Sequence, residues 1–132
     1  MKRLYVSDLD GTLLNRNAEL SEVTIRVVNQ AIEQGLNFTI STARTPTTAL
    51  KIVEPLNLKL PVMLMNGVLV YDMMSRQYIR KEVIAEETVM VLLGLIKTRE
   101  LNCFLYGLTG DTFCAYYDSC LLYTSPSPRD TR

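Results

Sequence analysis

The sequence predicts an α/β fold that begins as a partial doubly wound parallel sheet and continues into the beginning of an α+β unit. Short apolar runs alternate with segments of helical periodicity in the first half, which is typical of parallel strands joined by helices. Polar residues follow each of these apolar runs, where sheets of this class place their ligands. After Gly67 the pattern changes to strands separated by short turns, which indicates antiparallel hairpins.

The first half of the chain contains five predicted elements. In order they are a strand at residues 4–6, a helix at 21–34, a strand at 37–41, a helix at 46–55 and a strand at 61–64. Ser21 is a favourable N-cap because its hydroxyl accepts from an amide of the first turn, and Gly35 is a favourable residue to end that helix. Thr45 followed by Pro46 is typical of the start of the second helix. The apolar run at 4–6 predicts a buried strand.

The second half predicts a helix between two hairpins. The elements are a hairpin with strands at 68–71 and 77–83, a helix at 85–98, and a hairpin with strands at 102–106 and 112–117. The apolar stripe of the helix consists of Val89, Leu92, Leu93 and Ile96. The change from a parallel to an antiparallel pattern of strands predicts a domain boundary near residues 82–86, with one unit at 1–83 and the start of another at 84–119.

Composition excludes several classes of protein. The 132 residues carry 14 basic and 14 acidic side chains, and without net charge or a basic stripe we expect no nucleic-acid partner. The apolar stretches are too short and interrupted to span a bilayer, and no segment resembles a signal peptide, so no membrane partner is expected. The three cysteines lack metal-ligand spacing, which favours reduced thiols in a cytoplasmic protein.

A pair of carboxylates after the first apolar run is the most informative feature of the sequence. Asp8 and Asp10 lie two positions apart, so at the end of a strand they point the same way. Gly11 permits a sharp turn, and Thr12 can add a hydroxyl or amide donor. Neighbouring carboxylates are costly without a cation, and hard oxygen ligands beside a phosphate suit Mg²⁺. The alternative is an Asp-rich turn, which needs one acid rather than a spaced pair.

The segment VSDLDGTLL, which contains these acids, resembles the first signature of the haloacid dehalogenase-like hydrolases, a superfamily dominated by Mg²⁺-dependent phosphatases. The resemblance implies that Asp8 is the nucleophile, which forms an aspartyl-phosphate, and that Asp10 is the general acid/base. It also implies that Asp8 binds the metal through its second carboxylate oxygen and Asp10 through its backbone carbonyl. Members with an acid at the second position are generally phosphatases or phosphomutases.

Two later loops extend this resemblance. Thr42-Ala43-Arg44 is similar to the second signature, which implies that the Thr42 hydroxyl and the Ala43 amide contact phosphate and that Arg44 faces phosphate or substrate. Asn66-Gly67 follows the third strand, as in the Cof-type (class IIB) phosphatases, where an Asn-Gly lies near the substrate. Taken alone, Thr42 is explained by β-propensity or helix capping, and Asn-Gly by a turn.

The same resemblance assigns the two units and the end of the chain. Residues 1–83 resemble the amino-terminal half of the family's core, and 84–119 the start of its α/β cap. The family's later signatures, a Lys and a Gly-Asp…Asn-Asp motif, are not found in these residues. Residues 120–130 match one reading frame of a transposase-type sequencing adapter codon by codon; the alternative is an ordinary Ser/Pro-rich disordered terminus. We therefore expect an amino-terminal fragment with a disordered tail at 120–132, poorly folded and nearly inactive as written. Its first strand is expected to be an exposed apolar edge.

The resemblance implies a Mg²⁺-dependent phosphatase that acts on small phosphorylated metabolites, such as sugar phosphates, through an aspartyl-phosphate. A phosphomutase of the same superfamily is the near alternative. A non-catalytic module that binds phosphate or Mg²⁺, such as a receiver domain, is the second. Receivers place their acidic pair and their phosphorylated Asp on different strands, whereas Asp8 and Asp10 share one loop.

Overall fold

A computed structural model describes residues 3–117, so the tail predicted at 120–132 lies outside the described residues. The helices and strands are β1 Leu4–Ser7, α1 Glu22–Glu33, β2 Asn37–Ile40, α2 Pro46–Val53, β3 Val62–Leu64, β4 Leu69–Asp72, β5 Gln77–Lys81, α3 Glu86–Thr98, β6 Phe104–Thr109 and β7 Thr112–Tyr117. The chain divides into two compact units between Lys81 and Glu82. The assignment of these units to a core and a cap stays a prediction.

The first two strands form the parallel pair that the sequence predicted. β1 and β2 run in register from Leu4 opposite Asn37, and α1 is the crossover between them. One parallel bridge between Ser41 and Met63 then joins the end of β2 to β3. A strand–helix–strand–helix–strand order with parallel contacts confirms the α/β fold class.

The ends of α1 follow from its capping residues. The Ser21 hydroxyl accepts a hydrogen bond of 3.1 Å from the amide of Thr24. At the other end Gly35 has φ +95°, and the amide of Leu36 donates to the carbonyl of Ala31 over 3.0 Å. This bond pattern around a left-handed glycine is the Schellman motif. Both predicted helix limits are confirmed.

Antiparallel pairing in the first unit begins at β3. β3 pairs with β4, and β4 pairs with β5 after an irregularity between Val70 and Tyr71. The expected hairpin is therefore present, but β5 ends at Lys81 and not at Val83. Asp72 holds the intervening turn through its carboxylate, which accepts from the amide of Ser75 over 3.1 Å.

The core of the first unit lies between its helices and strands. Its buried apolar residues are Leu9, Leu14, Ile32, Ile40, Ala49, Val53, Leu56, Leu58, Val62, Leu64 and Leu69. One buried polar group joins two strands, since the Thr39 hydroxyl donates to the carbonyl of Pro61. This packing holds the ends of β1, β2 and β3, which carry the predicted site.

The first strand is largely exposed, although its apolar run is typical of a buried strand, and this agrees with the exposed apolar edge expected for a fragment. Leu4, Tyr5 and Val6 are 59%, 45% and 50% exposed. Within residues 3–117, β2 is the one strand paired with β1, whereas β2 also meets β3 through the bridge at Ser41. An apolar run indicates that a strand is suited to burial, but whether the strand is buried depends on the elements that pack around it.

The second unit contains α3 and a regular hairpin. β6 and β7 pair from Phe104 opposite Tyr117 to Thr109 opposite Thr112. Val89, Leu93 and Ile96 of the predicted stripe are half-buried. Leu92, the fourth residue of the stripe, is 42% exposed. In residues 3–117 no helix is long and apolar enough to cross a membrane.

Candidate active site

The first strand ends before the carboxylate pair. β1 stops at Ser7, and Asp8 continues in an extended conformation with φ −76° and ψ 163°. Its Oδ1 atom accepts a hydrogen bond of 2.6 Å from the amide of Leu9, where the chain begins to turn. The pair therefore lies in the loop that follows β1.

A tight turn keeps the two acids on the exposed side of this loop. The amide of Leu14 donates to the carbonyl of Leu9 over 2.9 Å and closes the turn, in which Gly11 has φ +73°. Glycine adopts this left-handed conformation without the strain that a Cβ atom would cause. Leu9 is fully buried between the exposed Asp8 and Asp10. The alternation of exposed and buried side chains that is typical of a strand therefore continues into this loop.

An ion pair connects the first loop to the loop after β2. Arg44 donates from Nε to one carboxylate oxygen of Asp10 over 2.8 Å and from Nη2 to the other over 2.7 Å. The side chain of Arg44 is 15% exposed and that of Asp10 is 55% exposed. The hydrogen bonds from Arg44 hold the pKa of the Asp10 carboxyl below its ordinary value. Asp10 is consequently an oriented carboxylate.

Thr42 is buried at the end of β2 and organises the same loop. Its amide donates to the carbonyl of Met63 over 3.0 Å. Its hydroxyl oxygen accepts from the amide of Arg44 over 3.2 Å, so this side chain caps the turn that carries the arginine. Ala43 lies exposed between them. Thr42 thus closes a turn with Arg44 and does not cap a helix, since the N-cap of α2 is Thr45. Its contact with phosphate stays a prediction.

The third loop follows β3 and is bonded to the second. Met65, Asn66 and Gly67 have φ values of +51°, +58° and +90°. The Met65 amide donates to the carbonyl of Arg44 over 3.1 Å, and the Asn66 amide donates to that of Thr42 over 3.0 Å. The Asn-Gly pair predicted a turn, but no signal in the sequence indicated that Met65 also adopts a left-handed conformation and anchors the second loop.

The structure thus brings the three predicted loops to one end of the strands. Asp10 contacts Arg44, and the loop of Arg44 contacts that of Asn66. Thr12 is exposed in the first loop. Its assigned contact with phosphate stays a prediction.

The oxygen donors at this end of the sheet fit a magnesium ion that takes its remaining ligands from water and phosphate. The described residues contain no group of three or more His, Cys, Asp or Glu side chains that could hold a metal by themselves. Both carboxylate oxygens of Asp10 bond to Arg44, so its side chain is occupied, and Asp8 presents the exposed carboxylate. Mg²⁺ usually takes one or two protein carboxylates together with water and phosphate oxygens. The exposed carboxylate of Asp8 therefore fits this kind of magnesium coordination.

Curated relatives carry the name phosphatase. The chain is 36% identical over 76 residues to phosphatase YwpJ of Bacillus subtilis, in a match that covers 58% of this chain and 27% of that protein. It is 33% identical over 70 residues to the 5-amino-6-(5-phospho-D-ribitylamino)uracil phosphatase YcsE of the same organism, with 53% and 28% covered. The chain thus spans little more than a quarter of the length of either relative.

A solved structure has the same fold. A haloacid dehalogenase-like hydrolase from B. subtilis superposes with a TM-score of 0.69 at 26% identity, over 91% of this chain and 40% of that one. The family model described as haloacid dehalogenase-like hydrolase matches residues 5–123. With the acidic loop after β1, this match shows that the chain belongs to the haloacid dehalogenase-like hydrolases, of the Cof type that its sequence predicted.

Proposed function

We propose that the complete gene product containing these residues is a Mg²⁺-dependent phosphatase of small phosphorylated metabolites. The observation that carries the proposal is the first loop, where Asp8 is exposed beside an Asp10 carboxylate that Arg44 orients. An exposed carboxylate can reach a phosphorus atom, and a second, oriented carboxylate can exchange a proton beside it. Family membership and two relatives named as phosphatases support the same reaction.

In the first half of the reaction Asp8 acts as the nucleophile. One carboxylate oxygen attacks phosphorus as the bond from phosphorus to the ester oxygen breaks, and the phosphoryl group passes to Asp8. The leaving alcohol takes its proton from the carboxyl group of Asp10. Because Arg44 favours the ionised form, Asp10 must loosen its pair with Arg44 and take up a proton before this step. The amide of Leu9 bonds to one oxygen of Asp8 and limits the rotation of the attacking group.

In the second half Asp10 acts as the base. A water molecule attacks the phosphoryl group on Asp8 and gives its proton to the Asp10 carboxylate, so that inorganic phosphate leaves and Asp8 is restored. General acid and base catalysis of this kind is typically worth about 10²–10⁴-fold.

The remaining site residues bind the phosphoryl group in this proposal. The hydroxyl of Thr42 and the amides of Thr12 and Ala43 are donors for phosphoryl oxygens, and Asn66 with Gly67 faces the rest of the substrate. Magnesium, held by Asp8 and by the backbone carbonyl of Asp10, would supply neutralisation of the negative charge on the phosphoryl group and the carboxylates.

The substrate class is proposed from the chemistry of the site and from relatives. The name of YcsE specifies a phosphorylated ribityl compound, a small ester of a sugar alcohol. We therefore propose sugar phosphates and related esters as substrates, and a cytoplasmic location, where such metabolites occur. Hydrolysis to inorganic phosphate distinguishes this function from a phosphomutase, which would return the phosphoryl group to a sugar hydroxyl.

An Asp8→Asn variant of the complete gene product tests the proposal. We expect the hydrolysis of p-nitrophenyl phosphate to depend on Mg²⁺ and to fall on the order of 10³-fold or more in Asp8→Asn, because the amide cannot form the phosphoryl ester. Asp72→Asn, the same change in a distant turn, is the control and should retain activity. Activity of Asp8→Asn equal to that of the control would remove the nucleophile assignment.

A further inference from the structure

Arg44 is anchored in the site through both its backbone and its side chain. Its amide donates to the Thr42 hydroxyl over 3.2 Å, and its carbonyl accepts from the amide of Met65 over 3.1 Å. Thr42 itself is 2% exposed and is tied to Met63 in β3. The backbone of Arg44 is therefore held on both sides by groups that belong to the buried end of the sheet.

The side chain of Arg44 transfers this anchoring to Asp10. Two parallel N–H···O bonds of 2.8 and 2.7 Å fix the plane of the Asp10 carboxylate as well as its position. Without them Asp10 lies on an exposed loop next to Gly11, where a carboxylate rotates among several rotamers. An ammonium group could not replace this geometry, since it presents a point charge and no fork.

We propose that Arg44 is a positioning residue that aims the base form of Asp10 at the phosphoryl group on Asp8. The proposal rests on the proposed function, because it assigns Arg44 to the second half of that reaction. In this step the oxygen of water bonds to phosphorus, the bond from phosphorus to Asp8 breaks, and the proton of water passes to the oriented Asp10 carboxylate. Arg44 itself bonds to neither the phosphorus nor the water.

The proposal predicts which half of the reaction an Arg44 variant slows. p-Nitrophenolate is a good leaving group, so phosphorylation of Asp8 by p-nitrophenyl phosphate needs little help from a proton donor. Hydrolysis of the aspartyl-phosphate still needs the aimed base. Loss of Arg44 should therefore slow the second half and leave the first half nearly unchanged, so that phosphorylated enzyme accumulates.

The experiment is rapid-quench kinetics of the complete gene product with p-nitrophenyl phosphate and Mg²⁺. Arg44→Met should show a burst of p-nitrophenolate close to one per enzyme, followed by a steady state about 10²-fold slower than wild type, the usual cost of misplacing a catalytic group. KM should not rise. Arg26→Met, an exposed change on α1, is the matched control and should behave as wild type.

A double variant separates positioning from general disruption of the site. If Arg44 acts through Asp10, Arg44→Met combined with Asp10→Asn should be no slower in the second half than Asp10→Asn alone. Should Arg44→Met fail to fold, Arg44→Lys gives the same comparison, because lysine keeps the charge and loses the fork. Lysine should then show a burst and a slower steady state.

Other outcomes overturn the proposal. A fall in both phases by the same factor would assign Arg44 to general structure, and a rise in KM alone would assign it to substrate binding. Multiplicative losses in the double variant would also reject action through Asp10. In each of these cases wild type still forms the aspartyl-phosphate, so the proposed function stands. Absence of phosphorylated Asp8 in wild type and in every variant would instead remove the proposed function itself.

Discussion

The two units differ in how they bury their apolar residues. Eleven of the twelve buried apolar residues in the described chain lie in the first unit, and Ala115 alone lies in the second. The second unit has a helix of comparable length to α1, but α3 exposes the apolar side chains Met90, Val91, Leu92 and Leu95. A regular helix and a regular hairpin therefore do not by themselves produce a core.

The candidate site follows the same division. All of the predicted site residues, from Asp8 to Gly67, lie in the first unit, on the loops that follow β1, β2 and β3. Their geometry depends on anchors such as Leu9 and Thr42, which are buried there. We infer that stability and site geometry are set by the same side chains in the first unit, and that apolar side chains of α3 contribute little to either.

The largest expected effect compares one leucine from each unit. Leu9→Ala removes a fully buried side chain between the two acids and should lower the free energy of unfolding by about 2–5 kcal/mol. Leu95→Ala removes a side chain that is 54% exposed, and its effect should stay within about 0.5 kcal/mol. Urea unfolding followed by circular dichroism measures both. Equal losses in the two variants would contradict the division.

Local features of the fold were accessible from the sequence. The caps at Ser21 and Gly35 and the order of strands and helices were predicted, because each depends on a few neighbouring residues. The extent of burial was less accessible, because periodicity indicates an apolar face and not what covers it. The apolar side chains of β1 and Leu92 in the stripe of α3 are largely exposed in the described residues.

The sequence predicted which loops meet at the candidate site but not the contacts between them. Adjacent parallel strands place Asp8 and Thr42 at the same end of the sheet, as the order of strands and helices predicted. The pair between Asp10 and Arg44 joins residues 34 positions apart. Its geometry depends on the register of β1 and β2 and on the turn at Gly11, which short-range patterns do not specify.

Two glycines provide a comparison with opposite expected signs. Gly35 ends α1 at φ +95°, so Gly35→Ala should destabilise the first unit by about 1–2 kcal/mol, the cost of a left-handed Cβ residue. Gly94 lies inside α3 with nothing within 4 Å of an added Cβ atom. Gly94→Ala should raise helix stability by about 0.5–1 kcal/mol.

Thermal unfolding of the two alanine variants measures these effects. If Gly94→Ala stabilises α3 without changing the unfolding of the first unit, the two units unfold separately. If Gly35→Ala were neutral, the left-handed end of α1 would not be a fixed feature of the fold, and the division would lose one of its supports.

The smallest expected effect concerns the turn between β4 and β5. The carboxylate of Asp72 accepts from the Ser75 hydroxyl over 2.6 Å and from the Ser75 amide over 3.1 Å. These bonds, the hydroxyl bond foremost, lower the pKa of Asp72. A carboxyl with a depressed pKa in the folded state adds stability above its unfolded pKa, about 3.9, and loses it as the pH falls through the folded value.

Asp72→Asn should therefore lower the midpoint of thermal unfolding slightly at pH 7, and its difference from wild type should shrink as the pH falls below about 4. Ser75→Ala removes the strongest donor and should show the same trend, because the pKa of Asp72 then returns toward its ordinary value. A difference between Asp72→Asn and wild type that is constant from pH 7 to pH 3 would mean that the charge of Asp72 does not stabilise the turn. The β4–β5 hairpin would then be stabilised by strand pairing alone. The β6–β7 hairpin of the second unit, which has a shorter turn and is paired at all six residue positions, is the comparison for that case.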